Sequence, residues 1–148
     1  MELTNKVIVI TGAGGGIGRA MALRFAAERP HKVICTDLDL AGAQTTADQI
    51  GGVALELDVA VEADIATLIE TVETSIGPID LFCSNAGISV GGGVEVPNDD
   101  WQRIWQVNVM AHVWAARHLL PRMTARGGGY LLNTASAAGL LNLSLIHI

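Results

Sequence analysis

A glycine-rich stretch between two apolar runs limits the folds open to this chain more than any other feature. The stretch reads Thr11-Gly-Ala-Gly-Gly-Gly-Ile-Gly18. The run before it, residues 6–11, is apolar on both faces, as in a buried parallel strand. The run after it, residues 17–28, has helical periodicity, and Pro30 is expected to end that helix. The apolar stripe of the helix consists of Ile17, Met21 and Phe25.

The alternation of strand and helix continues along the chain. Short, mostly apolar runs predict further strands at residues 32–36, 53–57, 79–84 and 130–134. Helices are predicted at residues 39–50, 62–76 and 99–123, the last as two helices that meet near Val107 and Asn108. This order predicts an α/β chain with a doubly wound parallel sheet and right-handed crossovers, the Rossmann fold. A complete fold of this kind has roughly six strands, so we expect a sheet truncated after its fifth strand.

Composition argues against several classes of function. Half of the 148 residues are apolar and 16% are charged, which suits one domain with a buried core. The formal net charge of −6 argues against nucleic-acid and anionic-membrane partners, because no basic face is available to neutralise phosphates. No apolar run is long enough to span a bilayer, and the polar first residues are not expected to form a signal peptide.

The cysteines and histidines indicate neither a disulfide nor a metal site. Cys35 and Cys83 fall in separate apolar runs without CxxC spacing, and we interpret them as reduced, buried thiols. Such thiols fit a reducing, cytoplasmic location. The four histidines lack metal-ligand spacing, so no metal site is predicted.

The glycine-rich stretch has the chemistry of a pyrophosphate site. Backbone N–H groups can approach a phosphate where no side chain intervenes, and the N-terminus of the next helix adds a positive dipole end. The spacing is GxxxGxG rather than GxGxxG, and the absence of GK[ST] excludes a P-loop. A tight turn without a ligand is the alternative. The predicted contacts are Gly12, Gly14, Gly15, Gly16, Ile17 and Gly18.

Asp37 follows the second predicted strand, 25 residues after Gly12. A carboxylate at this place accepts hydrogen bonds from both ribose hydroxyls of an adenosine and repels a 2′-phosphate. No lysine or arginine flanks Asp37, and Gly15 is also neutral, so the predicted cofactor is NAD(H) rather than NADP(H). The alternative is an exposed loop carboxylate or a helix N-cap, although Asp39 is better placed as the cap.

Five short segments in order resemble those of the short-chain dehydrogenase/reductase family. Their order and separation follow the family pattern across about residues 5 to 142, although Ser84 stands where the family often has Asn. The segments are the glycine stretch at 11–18, Asp58-Val59, Ser84-Asn-Ala-Gly87, Asn108 within Gln-Val-Asn-Val, and Asn133-Thr-Ala-Ser136.

The resemblance implies roles for residues along the cofactor. Asp58 would accept a hydrogen bond from the adenine amino group, and Val59 would pack on the ring. Asn85, Ala86 and Gly87 would pass close to the two riboses. The alternative for Asp58 is a turn residue only.

The resemblance also implies two residues that act in catalysis. Asn108 would hold a water molecule in a proton relay, and Ser136 would donate a hydrogen bond to the substrate oxygen as hydride moves. The alternatives are a helix break at Asn108 and an ordinary strand-end hydroxyl at Ser136.

The family's general acid/base, a Tyr with a Lys four residues later, has no counterpart in the printed sequence. Tyr130 lies within a predicted strand, and the residue four further on is Thr134. We therefore expect residues 1–142 to be an incomplete cofactor-binding domain without activity of its own. The last residues, Leu143–Ile148, depart from the family pattern and are expected to be a non-native tail.

The favoured function is an oxidoreductase that moves hydride between NAD(H) and an alcohol or ketone. A non-catalytic NAD-binding module and a methyltransferase are the alternatives. Three tryptophans in the 99–123 stretch are expected to serve helix packing, and part of that surface to serve a homo-oligomer interface. They are Trp101, Trp105 and Trp114.

Overall fold

The computed structural model describes residues 1–137, so the predicted tail at 143–148 and the end of the predicted domain lie outside the described residues. Strands and helices alternate in the predicted order. The elements are β1 (Val7–Thr11), α1 (Gly16–Ala26), β2 (Lys32–Asp37), α2 (Leu40–Ile50), β3 (Val53–Glu56), α3 (Glu62–Ser75), β4 (Leu81–Ser84), α4 (Asn98–Trp105), a π-helical turn (Gln106–Met110), α5 (Ala111–Ala125) and β5 (Tyr130–Asn133).

All described strands are parallel and lie in the order β3-β2-β1-β4-β5. The chain winds outward from β1 to β3, then returns to the other side of β1 for β4 and β5. The direction of winding therefore reverses between β1 and β4, and a crevice opens beyond their carboxyl ends. The register brings Thr11 beside Thr36 and Ser84 beside Asn133 at this edge of the sheet. The predicted doubly wound parallel sheet is confirmed.

Apolar side chains on both faces of the sheet explain why the strands are apolar without alternation. On one face, side chains such as Val9 and Phe82 pack with α3 and α5. On the other face, Ile10 and Cys83 pack with α1 and α2. Helices cover both faces, as a buried parallel sheet requires.

The described helices differ from the predicted ones in two places. Helix α1 ends at Ala26, and its buried residues are Gly18 and Ala22. The side chain of Ile17 is 63% exposed, so the predicted apolar stripe does not begin there. The predicted stretch at 99–123 is one helical run in which α4 passes into α5 through the π-helical turn rather than through a break.

One of the three predicted packing tryptophans is partly buried against the core, and the other two are exposed to solvent. Trp114 packs against the core, as predicted. Trp101 and Trp105 are 52% and 53% exposed, so helix packing within the chain is the wrong account of these two.

Candidate functional site

Two glycines of the turn are required by the close approach of other backbone atoms. Gly12 has a φ of +67°, and a Cβ there would lie 2.9 Å from Cα of Ala86. A Cβ on Gly18 would lie 2.1 Å from the carbonyl oxygen of Gly12. The turn can bring β1, α1 and the segment after β4 this close only because these positions carry no side chain.

The N-terminus of α1 faces open space. A Cβ on Gly15 or Gly16 would meet no atom within 4 Å. No side chain caps the helix, and no acidic residue lies in its first turn, whereas α3 has Glu62 and Asp64 there. The unpaired N–H groups and the positive dipole end therefore suit an anion.

Side chains of two helices hold the turn from behind. The Thr46 hydroxyl donates to the carbonyl of Ala13 at 2.8 Å. Arg19 donates to Thr46 Oγ1 at 3.0 Å and also to the carbonyl of Gly14. Neither support was predicted, because Ala13 and Thr46 stand 33 positions apart and no local pattern links them.

Asp37 closes β2 and faces the glycine turn. Its Oδ2 accepts from the N–H of Gly14 at 2.9 Å, and its Oδ1 accepts from the N–H of Asp39 at 3.0 Å. The cap of α2 is Asp39, whose carboxylate accepts from the N–H of Ala41. The N-cap alternative for Asp37 is thereby removed, and its carboxylate lies beside the glycine turn.

Asp58 both shapes a turn and carries an ion pair. Its Oδ1 accepts from the N–H of Ala60 at 2.9 Å, and its Oδ2 accepts from Nη1 of Arg103 at 3.1 Å. The neighbouring Val59 is buried. Sequence reasoning missed Arg103, which reaches Asp58 across 45 positions from α4.

Thr11 and Asn85 tie the carboxyl ends of three strands together. Oγ1 of Thr11 accepts from the N–H groups of Asn85 and Ala86 at 2.9 and 3.0 Å. The Asn85 amide donates to the carbonyl of Thr11 and accepts from the Thr134 hydroxyl, both at 3.0 Å. The crevice beyond β1 and β4 therefore has a fixed floor.

A cavity of about 570 Å³ occupies this crevice. It runs from Asp37 and Asp58 past the turn to Asn85, Ala86 and Gly87. Eleven of the twelve predicted cofactor-binding residues line it. The exception is Gly14, whose N–H is turned to Asp37. The structure thus brings together residues that the sequence separates widely.

A second cavity, of about 950 Å³, continues from the first and shares Ile17 and Ile88 with it. Asn108 and Ser136 both line this second cavity. Oδ1 of Asn108 accepts from the N–H of Ile88 at 2.9 Å, and its Nδ2 donates to the carbonyl of Ile88 at 2.8 Å. Asn108, placed on the π-helical turn, therefore anchors the loop after β4.

His112 also lines the second cavity, although no role for it was predicted from the sequence. Burial lowers the pKa of the imidazole, and a hydrogen bond to the Asn133 side chain partly opposes that effect. The thiols offer no nucleophile at neutral pH, because burial raises the pKa of Cys35 to about 11 and that of Cys83 to about 12.

Within residues 1–137, no three His, Cys, Asp or Glu side chains come together in a group able to hold a metal ion. No helix in the same range has the length and apolar character needed to cross a membrane.

Comparison with known proteins gives the family. A family model described as short chain dehydrogenase matches residues 6–146. The chain is 35% identical to cyclohexanol dehydrogenase of Acinetobacter sp. (strain SE19), covering 98% of this chain and 60% of that protein. It is 36% identical to meso-2,3-butanediol dehydrogenase of Serratia marcescens, covering 95% of this chain and 57% of that protein.

Solved structures agree with this result. A short-chain dehydrogenase/reductase from Burkholderia phymatum in complex with NAD has a TM-score of 0.90 and 32% identity, covering 96% of this chain and 53% of that one. A 7α-hydroxysteroid dehydrogenase complexed with NADH has a TM-score of 0.87 and 29% identity, covering 95% of this chain and 57% of that one. The chain thus spans a little over half the length of these proteins. Because the matching family model is that of the short-chain dehydrogenases, the methyltransferase alternative is dropped. The chain belongs to the short-chain dehydrogenase family of oxidoreductases.

Proposed function

We propose that this chain forms the cofactor-binding part of an NAD(H)-dependent oxidoreductase that acts on an alcohol or a ketone. The observation that carries the proposal is the continuous pair of cavities at the switch point of the sheet. Asp37 lies at one end of the pair, and Asn108 and Ser136 lie at the other. Bound in this crevice, the nicotinamide would supply the acceptor or donor of a hydride.

The residues of the first cavity fit the adenosine diphosphate half of the cofactor. Open backbone at Gly15 and Gly16 leaves room for the pyrophosphate at the N-terminus of α1. Asp37 would accept from the ribose hydroxyls, and Asp58 would accept from the adenine amino group, with Val59 packed on the ring. A carboxylate at Asp37 disfavours a 2′-phosphate, which supports NAD(H) over NADP(H).

The residues of the second cavity fit the reacting end. Ser136 would donate a hydrogen bond to the substrate oxygen and stabilise the charge that develops there. Asn108 would support a proton relay, although its side-chain amide is bonded to Ile88 and a water would need further partners. An alcohol substrate agrees with the names of the two similar dehydrogenases, one for cyclohexanol and one for meso-2,3-butanediol.

We further propose that residues 1–142 are one cofactor-binding unit, that 143–148 are foreign to it, and that these 148 residues alone are a poor catalyst. The printed sequence has no Tyr-x-x-x-Lys, and loss of a general acid/base typically lowers a rate by about 10²–10⁴-fold. A non-catalytic NAD-binding module remains the alternative. Ser136 and Asn108 in the same cavity argue against it, because such a module has no use for them.

A homo-oligomer and a reducing, cytoplasmic setting complete the proposal. Four apolar side chains at four-residue spacing are exposed along α4, the π-helical turn and α5, a pattern that supports helix contacts between copies. They are Trp101, Trp105, Val109 and Val113.

Two buried free thiols, Cys35 and Cys83, suit a compartment in which disulfides are rare.

Calorimetric titration of the 148-residue chain with NADH, NADPH and ADP-ribose tests the cofactor proposal. We expect NADH and ADP-ribose to bind and NADPH to bind more weakly. A chain that remains folded by circular dichroism yet binds none of the three would overturn the proposal.

A further inference from the structure

We propose that Arg103 is a positioning residue of the first cavity, which fixes the Asp58 carboxylate so that the site selects an adenine base over a hypoxanthine base. The inference rests on the proposed function, in which Asp58 accepts a hydrogen bond from the adenine amino group. It goes further by naming the side chain that makes this acceptor selective. Arg103 and Asp58 both line the first cavity.

Two donors hold the Asp58 carboxylate, one at each oxygen. The N–H of Ala60 donates to Oδ1 at 2.9 Å, within the turn that joins β3 to α3. Nη1 of Arg103 donates to Oδ2 at 3.1 Å, from α4, 45 positions along the chain. With the first bond alone, the carboxylate could still turn about its Cβ–Cγ bond. The bond from Arg103 therefore sets the plane of the carboxylate.

The carboxylate keeps acceptor capacity for a base. An ionised carboxylate has about four lone-pair sites and no donor, so one bond at each oxygen leaves about two sites. The Asp58 side chain is 24% exposed, at the wall of the cavity. Adenine presents an amino donor at its 6-position, whereas hypoxanthine, like guanine, presents a carbonyl acceptor there. An acceptor held in one orientation at this place favours adenine.

Arg103 is the one cationic side chain among the described residues that line the first cavity. Its guanidinium pairs with Asp58, whereas the Asp37 carboxylate accepts from the glycine turn. The open N-terminus of α1 already offers donors to the cofactor phosphates. The ion pair with Asp58 therefore assigns Arg103 to the base end of the cavity rather than to the phosphates.

Substitution of Arg103 should leave the fold intact. Every residue of α4 is partly or fully exposed, and the Arg103 side chain itself is 40% exposed. The helical run is held further on by Val107 of the π-helical turn, which is buried. An effect of Arg103→Ala on binding thus reports on the cavity rather than on the core.

The test compares two dinucleotides that differ only in the base. They are NADH and reduced nicotinamide hypoxanthine dinucleotide, titrated calorimetrically into the 148-residue chain. We expect the unaltered chain to prefer NADH. Arg103→Ala should weaken NADH binding about threefold to tenfold, the range for one hydrogen bond, and change binding of the hypoxanthine dinucleotide by less than about twofold.

Two further variants complete the design. Arg117→Ala is the matched control, because Arg117 pairs with Glu62 at 2.7 Å from the same helical run but, in the described chain, lines neither of the two cavities. It should change the affinity for neither dinucleotide. A double variant tests whether Arg103 acts through Asp58. Once Asp58 is replaced by alanine, Arg103→Ala should cost no further NADH affinity.

Several results would overturn the inference. Unchanged NADH affinity in Arg103→Ala would do so, and so would equal weakening of both dinucleotides, because a stacking or phosphate contact acts on both alike. An unaltered chain that binds the two dinucleotides equally would show that the base is not selected. A further loss of NADH affinity on adding Arg103→Ala to Asp58→Ala would mean that Arg103 acts on its own.

Failure of the proposed function gives a different result, namely a folded, unaltered chain that binds neither dinucleotide. A measurement without ligand then still decides the contact. In nuclear magnetic resonance spectra, the carboxyl carbon signal of Asp58 should shift in Arg103→Ala and stay in place in Arg117→Ala. An unmoved signal in Arg103→Ala would show that the arginine does not hold the carboxylate.

Discussion

The carboxylate of Asp37 and the backbone N–H of Gly14 are joined by a hydrogen bond of 2.9 Å. A Cβ on Gly14 would lie 2.8 Å from the same oxygen, so the contact requires glycine at that position. The bond links the end of β2 to the glycine turn and holds the carboxylate at the mouth of the first cavity. Under the proposed function, the side chain that would decide the choice between NAD(H) and NADP(H) is therefore already oriented.

Replacing Asp37 should change that choice. Asp37→Ala removes the acceptor for the ribose hydroxyls, and hydrogen bonds to a charged group contribute about 1.5–3 kcal/mol. We expect NADH to bind at least about tenfold more weakly while NADPH binds as well as before or better, measured by calorimetry. Asp39→Ala is the control: it removes the cap of α2 at a cost of about 0.5–2 kcal/mol but should keep the ratio of the two affinities. An unchanged ratio in Asp37→Ala would contradict the role.

Two alanine substitutions in the glycine turn should separate folding from binding. Gly18→Ala places a methyl group against the carbonyl of Gly12 and should reduce the free energy of unfolding by about 1–3 kcal/mol or more. Gly15→Ala meets no atom within 4 Å, so stability should change by less than about 1 kcal/mol while NADH binding weakens. Urea unfolding and calorimetry give the two quantities. Equal loss of stability in both variants would refute the distinction.

Glu73 should make the chain sensitive to acid. Burial tends to raise the pKa of this carboxyl, but bonds from Arg126, the N–H of Ile79 and Arg122 outweigh it and lower the pKa below its ordinary value. A carboxyl with a lowered folded pKa stabilises the fold above its unfolded pKa, and this contribution is lost as pH falls through the folded value. Urea unfolding between pH 7 and acid pH should show a shallower decline in Glu73→Gln, at about 1–3 kcal/mol lower stability near pH 7.

Glu70 provides the comparison for that experiment. It pairs with the same Arg122, but its side chain is 59% exposed, against 12% for Glu73. Glu70→Gln should cost less than about 1 kcal/mol and leave the pH profile unchanged. Similar profiles in the two variants would mean that the bonds to Glu73 do not cause the acid sensitivity.

Asn108→Ala should loosen the loop after β4. Both the N–H and the carbonyl of Ile88 lose their partner, so hydrogen exchange at the Ile88 amide should become roughly tenfold faster, as expected for loss of about 1.4 kcal/mol. Gln102→Ala, exposed on α4, serves as control and should leave that amide unchanged. Unaltered exchange in Asn108→Ala would rule out the anchoring role.

The fold and much of the candidate site were predictable because their signals are local. Apolar runs mark the strands, and the glycine stretch marks the turn between β1 and α1. Once parallel strands are assumed, their carboxyl ends meet at one edge, so Asp37, Asp58 and Asn85 are expected near each other. The family resemblance implied the roles proposed for Asp58 and Asn85, whereas the role proposed for Asp37 follows from its place after the second strand.

The supports of the site were not predictable for the opposite reason. Arg19 reaches Thr46 across 27 positions, and Arg103 reaches Asp58 across 45. Periodicity indicates which face of a helix is buried, but not which side chain of another element it meets. The exposure of Ile17 was not predictable either, because Gly18 and not Ile17 lies against Gly12, and Ile17 lines the first cavity instead.

The π-helical turn at Gln106–Met110 has a consequence for insertions and deletions in this part of the chain. Its last bond runs from the N–H of Ala111 to the carbonyl of Gln106, five residues back instead of the usual four. A turn of this kind holds one residue more than an α-helical turn, while α5 after it keeps its buried face. Deleting a single residue from it should therefore withdraw Asn108 from Ile88 and shift the buried Val107, with α5 packed as before. The extra residue sets where Asn108 and Val107 lie, so an insertion or deletion at this point would change the crevice more than the packing of α5.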